Sequence, residues 1–476
     1  ISGPRYQWRR LDGLGRTMDG EVPRSSATLP NEVKCVVKFW RKLASSADNP
    51  NIRDKRNPRT GDASYISVTF CDFSGSRIRT VVAKTGGAPA GNIECWVEIP
   101  FEIASGDVVR PDGAISITRR GKRWTALVEV KTDRTKLGVD QLETYLDVCK
   151  SEKFDALISI SNQFSPIPGV HPVVVNRRKI QSVELHHLSW NAVLTDAVLQ
   201  HEHRGVSDPD QAWILSELIH YLEHPSSGAM HFDDMGSSWV AVRDGARNGT
   251  LRENDPGVVD VVATWEELTR YLSLTLGRTL GADVQQVLSR REREDYGLRR
   301  SQLTRELAVN ASLSSTYRVP NSVGDIVVSA DLKAKMVAAS ISLSAPREGR
   351  PRTRLNWLIR QLGRAPDNTR IDTSFEGTRR TTSELLGRLR EDPDKGLDEH
   401  RSNAPRAFRI ALSADMGIKK GSGTGSFIGS VTDILDECYG TIVQNLKAWA
   451  PRAPRLPKLN PEESIDVNDP EVDVDV

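Results

Sequence analysis

The chain has 476 residues, a formal net charge of +2 and 38% hydrophobic residues, which is the composition of a soluble protein with two or three domains. The sequence has no apolar run of about 18 residues and no signal peptide, so neither a membrane span nor export is predicted. The five cysteines are scattered without C-x-x-C spacing. They favour a reducing cytoplasm over a disulfide framework or a thiolate zinc site.

The first hundred residues give few strong signals. Residues 1–30 are polar and are predicted to form an N-terminal extension, and apolar spacing predicts a helix over 31–43. Residues 45–63 are charged and loop-like, and strands are predicted over 65–70 and 93–103.

A β-hairpin is the clearest element of the N-terminal half. Ile115 and Ile117 alternate with small or polar residues, and residues 124–130 are rich in strand formers. Arg120-Gly121 supplies the two-residue loop that such a hairpin needs.

The register of this hairpin brings three charged residues together. If Arg119 pairs with Lys122, Asp112 lies directly opposite Glu129, and a slip of one residue would still leave it beside both Glu129 and Lys131. Residues two apart on a strand share a face. The three charged side chains are therefore predicted to meet at one end of a sheet.

Such a cluster is costly as packing, because two neighbouring carboxylates repel each other. A divalent cation would resolve the conflict, since Mg²⁺ binds one or two carboxylates together with water and substrate phosphate. A lysine beside it could orient or deprotonate the attacking water, or neutralise charge on the phosphate. The plainer alternative is a surface hairpin with an ordinary salt bridge at Lys131.

Asp112 after a proline, followed by Glu129-Val130-Lys131, resembles the signature of the PD-(D/E)XK nuclease superfamily. On the helix that follows, Gln141 and Tyr145 match the QxxxY element of a subset of these nucleases. The resemblance covers roughly residues 90–165 and implies a restriction-endonuclease-like fold, a central mixed sheet flanked by helices.

The resemblance also implies roles for these residues. Asp112 and Glu129 would bind Mg²⁺ or Mn²⁺, and Lys131 would support the nucleophilic water. Gln141 and Tyr145 would hold Lys131 or the substrate backbone in place. The implied activity is hydrolysis of phosphodiester bonds, with double- or single-stranded DNA as the expected partner.

In nucleases of this type an acidic residue from an early element often completes the metal site. Glu98 and Glu102 are the candidates, although both also fit the solvent face of an alternating strand. Arg110 and Lys136 flank the motif and are predicted to contact nucleic acid. By analogy, the layout is that of a restriction or phage-defence effector, acting as a homodimer or in a larger complex.

Two other classes of function are open. The nuclease fold could serve as a catalytically silent DNA-binding or assembly module. Alternatively, His220 and His224 match the inverted HxxEH pattern of some zinc proteases, in which two histidines one helical turn apart bind the metal. The tandem His186-His187 is predicted to be polar surface.

Further elements of the N-terminal half follow from periodicity. A helix is predicted over 139–151, a buried strand over 155–161, and helices over 190–200 and 209–224. Strand, hairpin, helix and strand is the order that the nuclease core would show.

The C-terminal half is predicted to be helical at first and then α/β. Helices are expected over 264–280 and 284–313, followed by alternating strands and helices. The strands are predicted over 326–329, 337–343, 371–375 and 408–413, and the helices over 355–362, 383–389 and 427–449.

Two basic features of this half are candidates for nucleic-acid binding. The arginine-rich segment 347–380 contains Arg352 and Arg354. A glycine-rich loop begins with Lys419-Lys420, and backbone amides of such a loop can hold an anion.

These observations predict a cytoplasmic, two-domain α/β protein with terminal extensions. Its parts are an N-terminal extension, a nuclease-like domain, a helical connector, a C-terminal α/β domain of unknown specificity and an acidic tail expected to be disordered. The respective ranges are 1–30, 31–255, 256–313, 314–455 and 456–476.

Overall fold

The computed structural model describes residues 8–11, 17–20, 91–97, 99–133, 135–165, 169–224, 227–229, 231–397 and 403–451. The helix predicted over 31–43, the strand predicted over 65–70 and the acidic tail lie outside these residues. Strands β1 (Trp8–Leu11) and β2 (Thr17–Gly20) form an antiparallel pair in the N-terminal extension. Within the described residues, no helix is long and apolar enough to cross a membrane.

A five-stranded mixed sheet organises the N-terminal half. Its strands stand in the order β3-β6-β7-β8-β9; the first three are antiparallel neighbours, whereas β7, β8 and β9 run parallel. A separate two-stranded sheet is formed by β4 (Phe101–Glu102) and β5 (Val108–Val109). The strands of the large sheet are β3 (Asn92–Val97), β6 (Gly113–Arg119), β7 (Lys122–Val130), β8 (Ala156–Ser161) and β9 (Glu184–Ser189).

The predicted hairpin and its register are confirmed. Arg119 pairs with Lys122 at the turn, and Gly113 pairs with Val128 at the far end. The loop residues Arg120 and Gly121 have φ values of 47° and 78°, which is the conformation that a type I′ turn requires at both positions.

Helices cover both faces of this sheet. Helix α1 (Val139–Glu152) packs Leu142 and Leu146 against Leu127 and Leu157 on one face. The opposite face is covered by α2 (Trp190–Val198) and α3 (Pro209–Glu223). All six residues of β8 are buried, because a parallel strand with helices on both sides has no solvent face.

A seven-stranded antiparallel sheet organises the C-terminal half, in the order β10-β11-β12-β13-β16-β14-β15. Its strands are β10 (Gln285–Gln286), β11 (Ser312–Arg318), β12 (Ile326–Asp331), β13 (Met336–Ser344), β14 (Arg370–Phe375), β15 (Thr381–Leu385) and β16 (Pro405–Asp415). The remaining α-helices in the described residues are α4 (Trp239–Asn248), α5 (Pro256–Leu280), α6 (Arg290–Glu294), α7 (Tyr296–Asn310), α8 (Pro351–Gln361), α9 (Leu386–Glu391) and α10 (Phe427–Thr441).

Two sequence-based assignments in this half are wrong in part. The helix expected over 284–313 begins as strand β10, and its last two residues belong to β11. The helix expected over 383–389 begins as strand β15. In β11 only Leu313 and Tyr317 mark the buried face as apolar, because the buried residue between them is Ser315. The period-two signal is therefore weak, and pairing with β12 decides the structure.

The C-terminal core includes helices α4 and α5, which were predicted to belong to the nuclease-like domain and to the helical connector. Trp239 of α4 stacks on Phe427 of α10, with ring centroids 4.3 Å apart, and Trp265 of α5 is fully buried in the same apolar cluster. Phe164, which follows β8, also belongs to this cluster. The predicted connector is therefore packed as part of the C-terminal core.

Candidate active site

Asp112 is fixed at the end of the hairpin by a main-chain hydrogen bond. It precedes β6, and one oxygen of its carboxylate accepts a 2.7 Å hydrogen bond from the Val130 amide of β7. Continuing the observed register by one residue places Asp112 opposite Glu129. The sequence-predicted meeting of these two carboxylates is therefore present.

Glu129 lies almost out of contact with solvent, with 2% of its side chain exposed. Its Oε1 is 2.5 Å from Nζ of Lys131, whose side chain is 20% exposed. Burial, followed by the charge of Asp112, raises the pKa of Glu129 to about 7 against the opposing effect of Lys131. One charged lysine does not fully offset two adjacent carboxylates in this position.

The main chain of Lys131 is held from two sides. Its amide donates to the Ile160 carbonyl of β8 at 2.8 Å, and Nε1 of Trp190 donates to its carbonyl at 3.0 Å. The first bond continues the pairing of β7 with β8 beyond the last residue of β7. Together the two bonds fix the backbone position from which the Lys131 side chain starts.

Gln141 and Tyr145 lie one turn apart on α1 and contact each other. Nε2 of Gln141 donates to the Tyr145 hydroxyl at 3.1 Å, and that hydroxyl donates to the Arg110 carbonyl at 3.3 Å. Burial and the negative charge of Glu129 raise the pKa of Tyr145 to about 12. The hydroxyl therefore stays protonated and ties α1 to the segment that precedes Asp112.

The two carboxylates fit a small divalent cation, which commonly binds one or two carboxylates and completes its shell with water and substrate oxygens. Burial and the charge of Asp112 both disfavour the charged form of Glu129, and a bound cation would oppose both effects. Among the residues described, no group of three or more His, Cys, Asp or Glu side chains is placed to hold a metal ion. Glu98 lies outside the described residues, and Glu102 is exposed on β4 in the small sheet.

Arg110 and Lys136, both predicted to contact nucleic acid, are exposed near the site. Arg110 belongs to the segment whose carbonyl accepts from Tyr145. The positive charge of Lys136 acts on Glu267 of α5, a carboxyl whose pKa burial raises to about 7. Lys136 is therefore also near α5.

The predicted basic residues of the C-terminal half have partners within the protein. Arg352 pairs with Asp394 at 3.3 Å. Lys420 pairs with Asp234 at 3.4 Å, and Nζ of Lys419 donates to a carbonyl of its own glycine-rich loop at 3.0 Å.

Arg354 is accounted for by the fold. It is 8% exposed, and its guanidinium donates to the carbonyls of Arg347, Gly349 and Pro405 and to the Glu376 carboxylate. These bonds join α8 to the neighbouring loops, and the structure gives no support to nucleic-acid contact by Arg354.

The histidine pair of the zinc-protease alternative lies at the exposed C-terminal end of α3. Helix α3 ends at Glu223, and His224 has the extended conformation, with φ −71° and ψ 133°. His220 is exposed and lies 3.8 Å from Glu217. Within the residues that the structure describes, no third His, Cys, Asp or Glu side chain joins this pair to form a metal site.

Sequence reasoning missed a buried polar group beside the candidate site. Glu129 pairs with Ser159 of β8, and Ser159 pairs with His187 of β9. Ser159 and His187 are both buried, and so is the hydrogen bond between them. His187 was predicted to lie on the surface. The available signal was the position of Ser159 between Ile158 and Ile160 in a strand predicted to be buried, where a polar side chain needs a buried partner.

Comparison of the chain with models of protein families, with curated proteins and with solved structures found no match in any of the three.

Proposed function

We propose that this protein is a metal-dependent nuclease that hydrolyses phosphodiester bonds, with DNA as its substrate. The observation that carries the proposal is the grouping of Asp112, Glu129 and Lys131 at one end of the mixed sheet. A buried carboxyl whose pKa is raised to about 7 lies against a second carboxyl and a lysine. Strongly perturbed groups of this kind are characteristic of functional sites.

The strand order supports the proposal. An antiparallel strand and hairpin, then a helix, then a parallel strand is the order expected from the resemblance to PD-(D/E)XK nucleases. The residues of the QxxxY element also contact each other and the segment before Asp112.

Each residue has a chemical role in this proposal. Asp112 and Glu129 would hold Mg²⁺ or Mn²⁺, which when bound would offset the charge that develops on the phosphate. The Lys131 ammonium would orient the attacking water or neutralise a phosphate oxygen. Gln141 and Tyr145 would position the segment that carries Asp112.

The test is cleavage of supercoiled plasmid, linear duplex and single-stranded DNA with Mg²⁺ or Mn²⁺, with EDTA as the blank. Lys131→Ala is expected to lower the cleavage rate by roughly 10²-fold or more, because it removes a charged group from the reacting centre. Lys150→Ala, an exposed lysine on α1, is the matched control and should cut like the wild type.

Two outcomes would count against the proposal. Equal cleavage by wild type and Lys131→Ala would assign the cutting to another group or to a contaminant. DNA binding without cleavage by any variant would instead favour a nuclease fold that serves as a binding or assembly module.

A further inference from the structure

A largely buried chain of hydrogen bonds crosses the sheet beside the candidate site. The Ser159 hydroxyl lies 2.8 Å from Nδ1 of His187 and 2.9 Å from Nε2 of His171. Nε2 of His187 lies 2.8 Å from the Gln163 carbonyl. Ser159 is 0% and His187 7% exposed, so these groups depend on one another for hydrogen bonds.

The direction of the hydrogen bond between His187 and Gln163 follows from the nature of the acceptor. A carbonyl only accepts, so His187 must carry its proton on Nε2, which leaves Nδ1 as an acceptor for the Ser159 hydroxyl. The Ser159 hydroxyl also lies 3.3 Å from the His186 carbonyl. Nδ1 of His171 lies 3.0 Å from both the amide and the carbonyl of Val173, so either neutral tautomer of His171 has a partner there.

Both histidines are neutral in this arrangement. Burial lowers the pKa of His187 to about 3 and that of His171 to about 4, and each imidazole then has one donor and one acceptor nitrogen. The Gln163 carbonyl thus selects the His187 tautomer with the proton on Nε2, and the Ser159 hydroxyl is placed to donate to Nδ1.

Gln163 connects this chain of hydrogen bonds to the candidate site. Its side-chain oxygen accepts a 2.9 Å hydrogen bond from the amide of Leu137, the residue before the N-cap of α1. The N-cap residue itself, Gly138, offers no side-chain cap. Gln163 therefore fixes the start of a helix that has no other cap, and that helix carries Gln141 and Tyr145.

Asn162, the residue before Gln163, holds the other end of the segment between Lys131 and α1. Nδ2 of Asn162 donates to the carbonyls of Asp133 and Gly228, at 2.8 and 2.7 Å. The turn after β8 thus holds the segment between Lys131 and α1 at both ends. Asn162 binds it at Asp133, and Gln163 binds it at Leu137.

We propose that His187 is a positioning residue for the candidate active site, acting through Gln163 on the start of α1. The assignment to an active site rests on the proposed nuclease function, whereas the contact with Leu137 does not. His187 itself touches neither the carboxylates nor Lys131 in the hydrogen bonds described, so its effect is on their geometry.

Two substitutions separate the roles of the two imidazole nitrogens. His187→Gln can place an amide donor near the position of Nε2 and so keep the bond to Gln163. His187→Asn can place an acceptor near the position of Nδ1, which keeps the bond to Ser159 and loses the one to Gln163. The proposal predicts that Gln restores function and Asn does not.

The first measurement is hydrogen exchange of the Leu137 amide by NMR, which needs no catalytic activity. His187→Asn should speed its exchange by about tenfold, whereas His187→Gln should leave it within about twofold of the wild type. Equal exchange in wild type and His187→Asn would overturn the proposed route through Gln163, whether or not the protein is a nuclease.

The second measurement is steady-state DNA cleavage. His187→Asn should lower kcat by about tenfold with little change in KM, because misplacement of catalytic groups slows the chemical step more than binding. If exchange changes and kcat does not, the contact is structural only and the positioning role is lost. If the wild type does not cleave DNA, the proposed function fails while the exchange result stands.

A second pair of variants guards against a misfolded His187 protein. Gln163→Glu keeps an acceptor for the Leu137 amide, and Gln163→Leu removes it without touching the buried imidazoles. Faster exchange in Gln163→Leu alone is the expected result. Equal exchange in both variants would contradict the proposal.

Discussion

Glu129 is a carboxylic acid held away from water, and its titration has a consequence for stability. Burial and the charge of Asp112 raise its pKa from 4.5 to about 7. Between these two values the folded protein keeps a proton that the unfolded chain releases. The contribution of Glu129 to the free energy of unfolding therefore falls as the pH rises from 4.5 to 7.

Glu129→Gln should remove this dependence, since an amide does not titrate. In EDTA, the difference in unfolding free energy between the variant and the wild type should grow by about 3 kcal/mol in favour of the variant from pH 4 to pH 8. Urea unfolding at both pH values measures it. A difference that does not change with pH would show that the carboxyl is not perturbed, and added Mg²⁺ should narrow the gap at pH 8.

The charged residues of the site could be predicted from the sequence because the hairpin that gathers them is local. Arg120-Gly121 determines the turn, the turn determines the register, and the register brings Asp112 to Glu129. The role of His187 could not be predicted in this way. Its burial depends on strands β8 and β9 running side by side, and its partner His171 comes from a loop between them.

At the scale of elements, Gly228 sets how closely two segments approach. Its carbonyl accepts from the Asp133 amide at 2.9 Å, two residues after Lys131. A Cβ at Gly228 would lie 2.9 Å from Cβ of Thr132 and 3.2 Å from the Asp133 nitrogen, and its φ is +74°. Both the conformation and the space therefore require glycine.

Gly228→Ala tests this contact, and Gly249→Ala is its control. Gly249 has a similar φ, +68°, in the left-handed region, with no atom within 4 Å of an added Cβ. Both variants should lose about 1 kcal/mol of unfolding free energy from backbone strain, and Gly228→Ala should lose more. DNA cleavage should fall in Gly228→Ala alone, because the segment beside Lys131 must shift. Equal losses in both variants would show that the close approach is unimportant.

Elements of the C-terminal half differ in how far the sequence predicts them. The strands predicted over 326–329 and 337–343 are confirmed as β12 and β13, and the helix predicted over 355–362 is found as α8. β15 was expected to be helical because its exposed edge position gives it no apolar alternation. Its strand conformation comes from pairing with β14, which no local pattern encodes.

On the scale of the whole molecule, Phe164 joins the two halves of the chain. It directly follows Gln163, and its ring packs edge-to-face on Phe232 and Tyr271, with centroids 6.3 and 6.2 Å apart. Phe164 is 4% exposed and belongs to the C-terminal apolar cluster. The turn at Asn162 and Gln163 holds the segment between Lys131 and α1. Through Phe164, this turn is anchored in the C-terminal apolar cluster.

Phe164→Ala should lower the free energy of unfolding by about 3–5 kcal/mol and separate the unfolding of the two halves. Calorimetry would then show two transitions in place of one. Phe154→Ala is the control, because the Phe154 ring contacts Phe101 within the N-terminal half. The same thermogram for both variants would mean that Phe164 does not couple the halves.

The anchoring of Phe164 decides how experiments that cut the chain into fragments should be interpreted. A fragment that ends before residue 231 keeps Asp112, Glu129 and Lys131, but it leaves the Phe164 ring facing water and the turn at Asn162 and Gln163 without its support. If such a fragment fails to cut DNA, the failure does not place catalytic groups in the missing half. Conversely, Phe164 places the C-terminal core one residue from the hydrogen bond that holds Leu137 before α1.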